Sequence, residues 1–209
     1  MPDVDPLPTR VVLRPVATPL PLGMLGLVVA SGTYAAVQLG WVPTSQSHTA
    51  GLAALFFAVP LQLLAAAIGF ATRDSVAATG LGLQAGLWAV TGLTTVTSPP
   101  GTTNQVLGVV LVTVAASLLV PALSAGSKPV AALVFLTTAL HSAALAVYEL
   151  SSSTGWQTTT GVIGLVLAGL ALYTALALEL EGAYQRRSLP IGRRSSAVDR
   201  GEPGVRRQL

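Results

Sequence analysis

Cysteine is absent from this chain, and charge is scarce. None of the 209 residues is Cys, and only 9% are charged. Without cysteine there is no disulfide framework, thiolate nucleophile or cysteine metal site. A soluble domain of ordinary composition carries about 25% charged residues, so the shortfall points to lipid as the solvent. Histidine is limited to His48 and His141. His48 falls in an expected loop, so no metal-ligand pair forms within the apolar stretches. No Walker-type glycine loop is present, which argues against ATP-driven chemistry within the chain. Serines surround His141, yet no buried acid stands ready to orient it, so a serine-hydrolase reading is poor. The expectation is a protein that is not an enzyme and uses no cofactor.

What is present is long apolar sequence, with a mean hydropathy of +0.69. A bilayer core about 30 Å thick needs roughly 20 apolar residues in a helix. Six stretches qualify, at 19–39, 49–71, 75–97, 104–123, 129–150 and 158–180. Turn-forming runs separate most of them, and Thr72-Arg73-Asp74 alone joins the second to the third. The fold class is therefore an all-α, polytopic membrane protein with six transmembrane helices.

The basic residues orient it. Arg10 and Arg14 precede span one, Arg73 lies between spans two and three, and Lys128 lies between four and five. Arg186, Arg187, Arg193, Arg194, Arg200, Arg206 and Arg207 follow span six, and the remaining loops have no Lys or Arg. Six spans put every basic residue on one face, which the positive-inside rule makes cytoplasmic. Both termini are then cytoplasmic, in an integral plasma (inner) membrane protein. The net charge of +3 and the pI near 9.8 arise mostly from the tail, which suits lipid head groups and not nucleic acid. The first residues lack the apolar core of a signal peptide. Residues 1–17 are expected to be a disordered cytoplasmic segment, 18–192 the transmembrane domain, and 193–209 a disordered basic cytoplasmic tail. No Lys or Arg falls inside the bilayer, and Glu149, Glu179 and Glu181 lie near span ends. Buried charge is costly and usually functional, so a multi-ion pump is disfavoured.

Two segments bracket the spans: Thr18-Pro19-Leu20-Pro21-Leu22-Gly23-Met24 and Arg186-Arg187-Ser188-Leu189-Pro190-Ile191-Gly192. Together they resemble the acetate uptake transporter family, also called the succinate–acetate permeases, which opens with Asn-Pro-Ala-Pro-Leu-Gly-Leu and closes with a Leu-Pro-Ile-Gly-like tail. Trp88, Gly161, Gly164 and Tyr173 fit as well. The resemblance implies six spans with both termini inside, a central pore in each protomer of a hexamer, and passage of acetate, in some members succinate, with protons. The entrance motif would be Thr18, Pro19, Pro21, Leu22 and Gly23. The family's narrow point, a Phe, a Tyr and a Leu, maps by the resemblance to Leu27, Gln84 and Thr137, none of which is the family residue. Thr18 and Leu20 also depart, standing where the family has Asn and Ala.

The residues themselves add a pattern. Leu27, Gln84 and Thr137 each lie at a similar depth, roughly 12–14 Å past the start of their spans. One helix face continues each outward at i+4, i+7 and i+11: Ser31, Tyr34 and Gln38; Trp88, Thr91 and Thr95; His141, Ala144 and Tyr148. Such stripes either line one path or bond backbone and neighbouring helices. Tyr34, Trp88 and Tyr148 have interfacial belt or core packing as alternatives. His141 either relays a proton or is a neutral histidine bonded to an adjacent helix. Thr18 suits a helix N-cap, with proline tolerated in the first turn. The helix N-terminus offers an attraction for a carboxylate. Small residues such as Gly82 and Gly86 permit close helix approach, within a protomer or between protomers of a homo-oligomer. The function expected is a transporter or channel for acetate and other small monocarboxylates or dicarboxylates, proton-coupled. The alternatives are a non-transporting six-helix scaffold, or a channel for another small solute.

Overall fold

In the computed structural model, residues 17–126, 128–184 and 189–190 are described. The expected segments 1–17 and 193–209 therefore lie outside the described residues, apart from Ala17. So do Arg186, Arg187, Ser188, Ile191 and Gly192. Among the described residues there are helices and no strands. Six helical stretches are long and apolar enough to cross a membrane.

The first is α1 (Leu20–Gln38). The second, Thr44–Ala71, is composite: a 3₁₀ turn (Thr44–Gln46), α2 (Ser47–Ala53), a π segment (Ala54–Ala58) and α3 (Val59–Ala71). The others are α4 (Ser75–Thr97), α5 (Gln105–Ser124), α6 (Pro129–Ser151) and α7 (Thr154–Tyr184). The second span thus starts earlier than its hydropathy suggested, because polar Thr44 to His48 continue the helical path. His48 belongs to α2 and not to a loop, with its Nε2 3.0 Å from the Ser98 carbonyl. The sixth runs from Thr154 to Tyr184, longer at both ends than the apolar core that marks it.

Local chemistry explains the ends. The Asp74 side chain accepts from the Ala77 N–H and caps α4, and Asn104 does the same for α5 through the Leu107 N–H. Thr18 does not cap α1. Pro19 is its N-cap with no side-chain bond, and Pro21 sits in the first turn. Pro60 accounts for the π segment: proline lacks an N–H and clashes with the carbonyl four residues back. A widened turn absorbs that clash, and Val59 donates five residues back to Ala54 O.

The helices pack as three pairs, α1 with α7, α3 with α4, and α5 with α6. Glycines set the approach. A Cβ on Gly51 would lie 2.9 Å from the Gly92 carbonyl, and one on Gly92 equally close to the Gly51 carbonyl, so α2 and α4 touch backbone to backbone. Gly82 and Gly86, which the sequence singled out, do less within the protomer: Gly82 only grazes Ala66 and Gly86 faces open space.

One end of the bundle, the near end, holds the start of α1, the α3–α4 and α5–α6 turns and the end of α7. Both described basic residues, Arg73 and Lys128, lie there. Lys128 pairs with Asp74 across the two turns. Tyr173 donates to Pro190 O at 2.8 Å, and Leu189 packs on the core, so that part of the closing motif folds back against α7.

Candidate solute pathway

Three helices running in one direction, α1, α4 and α6, meet along the axis. Their contacts form successive layers from the near end outward. The first layer is apolar. Leu20, Met24, Leu27, Leu81 and Phe135 are all fully buried and in one cluster. Two glycines let it close. A Cβ on Gly23 would lie 2.6 Å from Leu81, and one on Gly80 would overlap the Phe135 ring. This layer forms a tightly packed apolar plug toward the near end.

The second layer is an amide chain. Gln62 Nε2 donates to Gln84 Oε1 at 3.3 Å, and Gln84 Nε2 donates to Thr138 Oγ1 at 2.9 Å. Thr138 in turn donates to Val134 O at 2.8 Å. All three side chains are fully buried. Polar side chains in hydrocarbon find partners across helices in this way.

The third layer is aromatic. Tyr34 and Trp88 have ring centroids 5.6 Å apart, and Trp88 and His141 6.1 Å. Tyr34 donates to Thr95 Oγ1 at 2.8 Å, and Thr95 donates to Thr91 O at 2.8 Å. Trp88 Nε1, both His141 ring nitrogens, Thr91 Oγ1 and Gln38 Oε1 have no partner among the described residues.

Beyond lies an open vestibule at the far end of the bundle. Tyr34, Gln38, Thr91, Thr95, Tyr148 and Glu149 are among its walls. Glu149 also has a fastening role, since its Oε2 accepts from the Asn104 N–H at 2.6 Å and ties α6 to the start of α5. Between the plug and the vestibule the described lining holds no Asp, Glu, Lys or Arg.

The structure brings most of the sequence-derived residues together. Leu27 sits in the plug, Gln84 in the amide layer, Trp88 and His141 in the aromatic layer, and Tyr34, Gln38 and Thr91 at the vestibule. Ser31 is buried, but its hydroxyl is absorbed by Leu27 O at 2.6 Å. Thr137 is not brought to Gln84. It is half-buried and donates to Leu133 O at 2.8 Å. Thr138 takes the position because it lies three residues before His141, and i, i+3 shares a helix face as well as i, i+4 does. Of the entrance motif, Thr18 is exposed, Leu22 half-buried, and Pro19, Pro21 and Gly23 buried.

Sequence reasoning missed Gln62, Thr138 and Phe135. Gln62 carried a usable signal, as a lone amide between Leu61 and Leu63 that no lipid-facing position would favour. Phe135 carried none, since an apolar ring in an apolar helix has no distinguishing mark.

No family model matches the chain, and no curated protein matches it. Among solved structures, that of the bacterial acetate channel SatP superposes with a TM-score of 0.75 at 22% sequence identity, covering 85% of this chain and 100% of that one. The likeness expected from the end motifs therefore holds at the level of the fold, a six-helix membrane architecture.

Proposed function

We propose that this chain moves acetate and other small carboxylic acids across a membrane, as a transporter or channel and not as an enzyme. The observation that carries the reading is the uncharged interior: an amide layer and an aromatic layer between an apolar plug and an open vestibule. The fold shared with an acetate channel supports it. An ionised carboxylate would lose its hydration without gaining a cation, whereas a protonated acid has no charge to desolvate. The solute accordingly crosses with its proton, and uptake rises as the pH on the supply side falls. Dicarboxylates such as succinate fit only when doubly protonated. Arg73 and Lys128 at the near end support a cytoplasmic placement of that end and of both termini in the plasma membrane. Open glycines such as Gly86 and Gly169 support a homo-oligomer, for which the resemblance implies a hexamer.

The test is labelled-acetate uptake into liposomes holding the purified protein, with and without an inward proton gradient. Gradient-stimulated uptake that unlabelled acetate suppresses is the expected result. Uptake insensitive to the proton gradient, with charge movement, would make the protein an anion channel. No uptake above empty liposomes, from folded protein, would sink the carboxylate reading and leave another small solute or a scaffold role.

A further inference from the structure

Trp88 and His141 lie one helical turn beyond the amide layer and are each 1% exposed. The indole Nε1, both imidazole nitrogens and Thr91 Oγ1 are unpartnered among the described residues. A buried indole N–H usually finds an acceptor, and an imidazole needs at least one donor and one acceptor around it. Several such groups left unpaired in one place are costly to keep; leucines would fill the same volume without that cost. Of this cluster Thr91 lines the vestibule beside Tyr34, and Trp88 and His141 follow behind the Tyr34 ring. On the other side of the imidazole α7 presents Gly164, where a Cβ would stand 3.3 Å from His141 Nε2 and 3.4 Å from Ser31 O. The titratable groups on the vestibule side are Tyr34 from α1 and Tyr148 and Glu149 from α6.

We propose that Trp88, His141 and Thr91 form a binding site for one small undissociated carboxylic acid, on the vestibule side of the plug and separate from the amide layer of Gln62, Gln84 and Thr138. This rests on the transport reading. A carboxylic acid presents a carbonyl acceptor and a hydroxyl donor. The Trp88 N–H donates to the carbonyl, an imidazole nitrogen accepts from the hydroxyl, and the Thr91 hydroxyl serves either. The Tyr34 and Trp88 ring faces hold the short alkyl part. A carboxylate has acceptors only and meets no cation here. Tyr34 and Trp88 separate the site from the vestibule, so their rings swing aside for a solute to enter.

The test makes Trp88 the sole tryptophan by replacing the exposed Trp41 and Trp156 with Phe, and titrates acetic acid while recording Trp88 emission, with uptake measured in parallel. A saturable emission change is expected. His141→Leu weakens it by about tenfold or more, while His141→Gln, which keeps a donor and an acceptor, recovers part of the loss. Gly164→Ala, whose methyl would meet the imidazole, Ala35 and Ser31 O first, weakens it too and carries the test should His141→Leu fail to fold. Uptake without any saturable change would overturn the site and leave the transport reading standing, with water alone at these groups. Neither uptake nor an emission change would overturn both. An emission change of undiminished affinity in folded His141→Leu would place the binding elsewhere and overturn the site.

Discussion

Replacing Gln84 by Leu strikes the amide layer at its centre. In the native chain Gln84 accepts from Gln62 and donates to Thr138. Leu at 84 leaves the whole Gln62 amide without a partner, because its Oε1 is already unpartnered among the described residues. Thr138 suffers less, since its own proton goes to Val134 O. An orphaned buried amide costs about 1–3 kcal/mol in soluble proteins, but hydrogen bonds between membrane helices average about 0.6 kcal/mol and reach about 1.7. The membrane figure applies here, so Gln84→Leu is expected to cost about 1–2 kcal/mol. The Gln62→Leu/Gln84→Leu double variant removes both partners and should cost less than the sum of the singles, with a coupling of about 0.6 kcal/mol or more. Reversible unfolding in mixed micelles of graded denaturing detergent, followed by far-UV circular dichroism, measures all four corners of this cycle. Strict additivity, or a single variant as stable as the native chain, would refute the bonded amide chain and with it the layer drawn across the path.

Three further outcomes follow from the packing. Gly80→Ala should lower thermal stability by about 1–3 kcal/mol, because the new methyl overlaps the Phe135 ring; Gly32→Ala, inside α1, meets open space and should raise it by up to about 1 kcal/mol, and thermal melts of the two compare them directly. Thr138→Val should alter acetate uptake while Thr137→Val leaves it unchanged, since only Thr138 holds Gln84; equal effects in the liposome assay would contradict the register of α6. Asp74→Ala should destabilise by about 1–2 kcal/mol through loss of the α4 cap and the Lys128 pair, whereas Asp74→Asn keeps the cap and should cost less; thermal melts of equal midpoint for the two variants would argue against the cap.

Hydropathy, basic-residue placement and turn chemistry determined the number of helices, because a chain in lipid must satisfy its backbone within each span and only long apolar runs do so. The same rule made Gln84 and Trp88 legible, as residues too polar or too large to lie unnoticed in a span. Facing was less legible. Thr137 and Thr138 are adjacent, equally polar and both compatible with His141 by helical spacing. Both hydroxyls donate to their own backbone, and only the tertiary packing brought Thr138 to Gln84 and left Thr137 half-buried away from it. Phe135 became part of a plug through Gly80 on another helix, and Gln62 joined the amide chain because α3 packs on α4 and α1 with that side chain facing Gln84. One-dimensional spacing repeats along a helix axis. Rotation about that axis is set by which neighbour's glycine leaves room, and that is a property of pairs of helices that only the tertiary structure decides.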